Sequence, residues 1–183
     1  MARSRGGAAT KTRTSRPAPA TAAAPVRSVP SGPNVRWAAP VTFPLSLIGL
    51  GLSIYLTIQH FSGSTSFAGC PASGKIDCAK VTTSSWSELF GHIPVALAGL
   101  IYYVVMVALV SPWAWRVANI WLDRLRLAAG VAGIGMVSYL VYAEVVKIKS
   151  ICIYCTGVHI VTFLLFLTIL AAYLLRPLDP IRE

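Results

Sequence analysis

Four cysteines carry the reactive chemistry of this 183-residue chain, and they fall into two pairs, Cys70-x7-Cys78 and Cys152-x-x-Cys155. A Cys-x-x-Cys pair closes a small disulfide ring, supplies half of a metal site, or attaches a haem. The haem reading needs His directly after the second cysteine, and Thr156 stands there instead. His159 lies one helical turn beyond Cys155, on the same face. Cys152-x-x-Cys155-x-x-x-His159 is therefore also compatible with a mixed Cys/His zinc site completed by the two loop cysteines. From the cysteines alone three readings stay open: redox exchange, inert structural disulfides, and a metal site.

The surroundings of the cysteines weight these readings. The chain is 55% hydrophobic and only 12% charged, too few charges to coat a water-facing surface of this size. Apolar runs near twenty residues match a hydrocarbon thickness of ~30 Å. The net charge of +10 does not point to nucleic acid, because the basic residues sit in the tail and at the ends of apolar runs rather than on a folded face.

Four such runs are legible: Val41 to about His60, Ile93 to about Ser111, Leu125 to about Val146, and the Cys-x-x-Cys to about Leu175. Short links between them predict an all-α integral membrane protein, an antiparallel bundle of four transmembrane helices. Gly49 and Gly51 in the first run, and Ala129, Gly130, Gly133 and Gly135 in the third, offer surfaces where helices approach closely. Thr83 to Glu88 has the hydroxyl and acidic pattern of a helix start. Trp86 to Gly91 is too short to span, which predicts a short interfacial helix in the first extracytoplasmic loop.

Residues 1–39 are rich in Ala, Pro, Ser, Thr and Arg and have almost nothing to bury. They are expected to form a disordered basic cytoplasmic tail, although a transit peptide has a similar composition. Residues 40–175 form the membrane domain and 176–183 a cytoplasmic C-terminal tail. Twelve Lys and Arg lie on the side of the termini and the second-to-third turn. Four (Lys75, Lys80, Lys147 and Lys149) lie on the other. The positive-inside rule then predicts a multi-pass protein of the cell membrane with both termini cytoplasmic. Both cysteine pairs face outward, where disulfides persist.

On one outer surface, two cysteine pairs can relay electrons by thiol–disulfide exchange. Cys152 and Cys155 open a helix, whose N-terminal dipole favours a thiolate. An ionisable His159 one turn deeper is a functional candidate by default, against the plainer role of bonding a neighbouring helix.

With these residues placed, the chain resembles the vitamin K epoxide reductase (VKOR) family, and more closely its bacterial members that support disulfide formation. The resemblance rests on Cys70-x7-Cys78, Val81-Thr82-Thr83-Ser84-Ser85-Trp86, Phe90-Gly91-His92-Ile93-Pro94 and Cys152-Ile153-Tyr154-Cys155, in four helices of the same order. It implies that Cys70 and Cys78 take electrons from a reduced partner and that Cys152 and Cys155 form the active-site pair, with Cys155 next to a quinone. It also implies that Ser84 and His159 hydrogen-bond the quinone. Val95 falls near a position where the animal enzymes carry an Asn, which favours plain quinone reduction over epoxide chemistry. The electron acceptor expected from the family is menaquinone, ubiquinone or vitamin K, with no metal. The expected donor is a separate periplasmic or secreted thioredoxin-fold (DsbA-like) protein, since no such domain follows residue 175. Vitamin K quinone or epoxide reduction proper, and a Cys/His metal-binding membrane protein, are the alternatives.

Overall fold

The computed structural model describes residues 35–63, 66–70, 74–89, 93–117 and 119–175. The C-terminal tail and all but the last five residues of the basic N-terminal tail lie outside them. A 3₁₀ turn over Val35–Ala38 leads into α1 (Ala39–Phe61), and a five-residue helix α2 (Cys78–Thr82) follows in the first loop. Three long helices complete the chain: α3 (Val95–Leu109), α4 (Ile120–Tyr142), which runs on as a π-helical turn over Ala143–Ile148, and α5 (Ile153–Leu174).

Among the described residues α1, α4 with its π turn, and α5 are long and apolar enough to cross a membrane. With 15 residues, α3 reaches about 22 Å at 1.5 Å per residue, short of a full ~30 Å hydrocarbon core. The sequence reading began this run at Ile93. Instead, β1 (Glu88–Leu89) pairs antiparallel with β2 (Ile93–Pro94), holding these two residues extended, and the helix starts only after Pro94. Over the described part of the short interfacial helix expected at Trp86–Gly91 the same pairing takes its place, and Phe90 and Gly91 lie outside the described residues. What forms is a 3₁₀ turn over Ser85–Ser87 that gives way to a strand at Glu88. At α4 the difference is in the other direction. The Asn119 side chain caps the Trp121 N–H at 2.9 Å and starts the helix five residues before Leu125.

Helices that are apolar all round reveal their inward face through small and hydroxyl residues rather than through hydrophobicity. On α1 the buried positions are Thr42, Ser46, Gly49, Ser53, Leu56 and Thr57, while Leu47, Ile48, Ile54 and Ile58 point outward. Three of the buried hydroxyls bond to nearby backbone, Thr42 Oγ1 donating to the Ala38 carbonyl, Ser46 Oγ to that of Phe43 and Thr57 Oγ1 to that of Ser53. Thr57 also reaches the Ala96 carbonyl at 3.1 Å, joining α1 to α3. The Tyr103 hydroxyl joins α3 to α5 through Thr162 Oγ1 at 2.8 Å and the Val158 carbonyl at 3.2 Å.

Gly49 is where α1 and α3 meet: a Cβ there would lie 1.9 Å from the Tyr103 ring. Gly51, which the sequence paired with it, has open space around it. Gly49→Ala is expected to destabilise the protein by ~1–3 kcal/mol through overpacking. Gly51→Ala should stay within ~0.5 kcal/mol. Thermal unfolding in detergent compares the two, and equal effects would remove the contact as the cause.

Candidate functional site

Local structure places each cysteine before any chemistry is considered. Asp77 caps α2 by accepting the Lys80 N–H at 2.9 Å, so Cys78 is the first helical residue, and it is 1% exposed. Cys70 and Cys78 are joined in a disulfide with Cα atoms 6.2 Å apart. Cys152 is the cap of α5, its Sγ accepting the Cys155 N–H at 3.3 Å. Cys152 and Cys155 are both thiols, with sulfurs 2.8 Å apart. The Cys155 thiol, donating to Cys152 Sγ, holds the Cys152 thiol below the ordinary thiol range.

The two pairs belong to one cluster. Cys78 and Cys152 are buried together with Leu56, Phe67 and Val81, and Cys70 and Cys155 pack against that core. A backbone bridge sets this register. Ile76 pairs in parallel with Ile151, the Ile151 N–H donating to the Lys75 carbonyl at 2.8 Å and the Asp77 N–H to the Ile151 carbonyl at 3.2 Å. A second clasp holds the Cys70 side of the loop. Tyr55, Phe67 and Tyr154 form an aromatic cluster, with the Tyr55 and Tyr154 ring centroids 4.8 Å apart. The Tyr154 hydroxyl donates to the Ala68 carbonyl, and the Ala68 N–H donates to the Tyr55 hydroxyl.

Below the cysteines lies a cavity of about 220 Å³ with an almost wholly apolar wall. It is lined by α3 and α4 through residues such as Val95, Gly99 and Met136. Polar residues on its wall include Cys155, His159, Glu144, His60, Thr82 and Ser87. Cys155 faces the cavity, whereas Cys152, fully buried, does not. An apolar cleft with a few convergent polar groups is the form of a small-molecule site.

His159, the second residue singled out on α5, is buried and lines this cavity one turn below Cys155. Ser84 is not brought to it. Its hydroxyl donates to the Val81 carbonyl at 2.9 Å, and it is Thr82 and Ser87 that reach the wall. Val95, expected near a quinone-contacting position, lines the cavity. The Cys/His metal alternative needed both loop thiols, and these are engaged in the disulfide. Among the described residues, no group of three or more His, Cys, Asp or Glu side chains is placed to hold an ion.

Three features escaped the sequence reading: the Ile76–Ile151 bridge, the aromatic clasp and Glu144. The last had a signal. Asp123, Arg126, Gly130, Gly133, Val137, Leu140 and Glu144 repeat at alternating spacings of three and four, one inward stripe along α4. All seven are buried or half-buried, and Glu144 is 5% exposed.

Together these features define a helical membrane protein with two cysteine pairs, one oxidised, clustered above an apolar cavity. Residues 40–170 match the model of the vitamin K epoxide reductase family, and the chain belongs to that family. Membership makes it an oxidoreductase of a family that uses quinone or vitamin K and generally acts with thioredoxin-like partners in a membrane. No curated protein matches the chain.

Proposed function

We propose that this protein is a quinone-dependent thiol oxidoreductase of the bacterial, disulfide-forming type, reoxidising a separate DsbA-like thioredoxin-fold protein. The observation that carries this reading is that all four cysteines share one cluster while only the Cys-x-x-Cys pair, through Cys155, reaches the cavity. In this reading α1, α3, α4 and α5 all cross the cell membrane as an antiparallel bundle. Both termini are cytoplasmic and the cysteine loops face outward. α3 makes its crossing together with the extended residues before it.

The reduced partner attacks the Cys70–Cys78 disulfide and leaves oxidised, having given two electrons to the loop pair. Cys78, packed in the same buried core as Cys152, then attacks Cys152 Sγ of the oxidised Cys152–Cys155 bond and displaces Cys155. Cys70 closes back on Cys78, and both electrons stay on Cys152 and Cys155. When bound in the cavity, the quinone supplies the two-electron sink. Cys155 delivers from the cavity wall, and His159 orients the acceptor by hydrogen bonding. The apolar side chain of Val95 favours reduction of the quinone itself over its epoxide.

In membranes containing the protein, a reduced DsbA-like donor should drive quinone reduction. Cys70→Ala should remove nearly all turnover with the protein donor while a small dithiol still supports it. A Cys70→Ala variant that keeps full turnover with the protein donor would deny the loop its relay role.

A further inference from the structure

Glu144 is the only carboxylate side chain lining the cavity among the described residues, and it sits beside the reacting sulfurs. It is 5% exposed and makes no ion pair among the described residues. An acidic side chain in an apolar membrane helix is costly and marks a site of function more often than of packing. Its carboxyl meets the Cys155 thiol and the Cys152 backbone, and its wall of the cavity is shared with His159. The backbone fixes it there. Glu144 lies in the π turn, and its carbonyl accepts the N–H of Lys149, a residue held at φ 56°, and that of Ser150 at 3.2 Å. Single π turns of this kind interrupt α-helices mostly at functional sites. A left-handed non-glycine residue costs about 1 kcal/mol or more, which the surrounding structure must offset.

We propose that Glu144 is a catalytic acid–base residue that carries a proton between Cys155 Sγ and the acceptor oxygen in the cavity. The role rests on the quinone reading above. As the Cys152–Cys155 bond forms, each sulfur gives up one proton and one electron. The acceptor gains two electrons and two protons, its two C=O groups becoming C–OH. Glu144 takes the Cys155 proton and passes it to one oxygen, ending in the protonation state in which it began. The Cys152 proton leaves to the outer solvent, and the second oxygen takes up its equivalent from the same solvent.

Glu144→Gln tests this, because an amide can still accept a hydrogen bond from the Cys152 backbone but cannot carry a proton. The full chain in lipid nanodiscs is reduced with a small dithiol and then mixed with a short-tailed naphthoquinone, and the Cys152–Cys155 thiols are trapped with time. The variant should reoxidise about 10²-fold more slowly or worse, the range lost with a general acid–base group. Reduction of the Cys70–Cys78 disulfide by the dithiol, followed without quinone, should remain at the wild-type rate. A second readout needs no quinone. The infrared difference between oxidised and dithiol-reduced protein should contain a carboxyl band that Glu144→Gln removes, because disulfide formation takes away the thiol the carboxyl meets. If Glu144→Gln fails to form the Cys70–Cys78 disulfide, Glu144→Asp takes its place. Its withdrawn carboxyl should slow reoxidation while leaving reduction of the Cys70–Cys78 disulfide intact. Reoxidation at the wild-type rate in the folded variant, or an unchanged infrared difference, overturns the proposal while the quinone reading stands. Wild-type protein that accepts electrons from the dithiol and passes none to the quinone overturns both.

Discussion

Replacing Cys155 by Ala should abolish quinone reduction and stop the donor's electrons at the loop pair, with Cys70 and Cys78 left as thiols. The expectation follows from the division between the two members of the pair. Cys152 is fully buried among Leu56, Phe67, Val81 and Cys78, which makes Cys78 its exchange partner in the proposed relay. Cys155 alone of the four cysteines lines the cavity. Without Cys155 no Cys152–Cys155 bond can form, so Cys78 has no disulfide on α5 to attack. A residue of this kind typically accounts for ~10³-fold or more of the rate, as when a member of a covalent catalytic unit is removed. Mass spectrometry of the donor-treated, alkylated protein reads the state of both loop cysteines. Cys152→Ala should be as inactive for the same reason, and a variant lacking Cys155 that still reduces quinone would sink the assignment.

The second large effect is on stability and lies at the other end of the helices. Arg126 is 1% exposed, its Nη1 donating to Asp123 Oδ1 at 2.6 Å and its Nε to the Leu109 carbonyl at 2.8 Å. Its guanidinium lies 4.2 Å from the centroid of the Trp115 ring, whose Nε1–H donates to Thr42 Oγ1. One side chain thus ties the end of α3, the start of α4 and, through Trp115, α1. Removing one member of a buried ion pair costs ~3–5 kcal/mol, because the other charge is left without its partner. Arg126→Ala and Asp123→Ala are each expected to fall in that range, and the double variant should cost less than their sum. Arg126→Lys should recover little, since an ammonium cannot reproduce the fork. Unfolding of the four proteins in detergent decides it, and additive single effects would mean that Asp123 and Arg126 do not act as a pair.

Arg126 also shows what the sequence could and could not convey. Counted as one of three loop cations, it served the positive-inside argument. The Asn119 cap pulls it into α4, where it becomes an interior residue. The long apolar runs and the two cysteine pairs were legible because membrane thickness and thiol chemistry leave few alternatives for such patterns. The membership in the family followed from them. Ser84 is the opposite case. In a stretch of Thr82, Thr83, Ser84, Ser85 and Ser87, spacing does not tell which hydroxyl turns inward, and the cavity received Thr82 from the end of α2 and Ser87 from the 3₁₀ turn instead. The Ile76–Ile151 bridge joins backbones 75 residues apart in sequence and uses no distinctive side chain, so no local pattern announces it.

That bridge has a kinetic consequence. By holding the Cys78 segment against the Cys152 segment, it would make the proposed transfer between the two cysteine pairs a first-order event. A tether of this kind sets an effective concentration of at least the millimolar order reached by short flexible linkers. Internal transfer therefore proceeds at a rate independent of how much donor the compartment contains. Only the encounter with the donor and the supply of acceptor in the bilayer remain as steps that the cell can adjust by abundance.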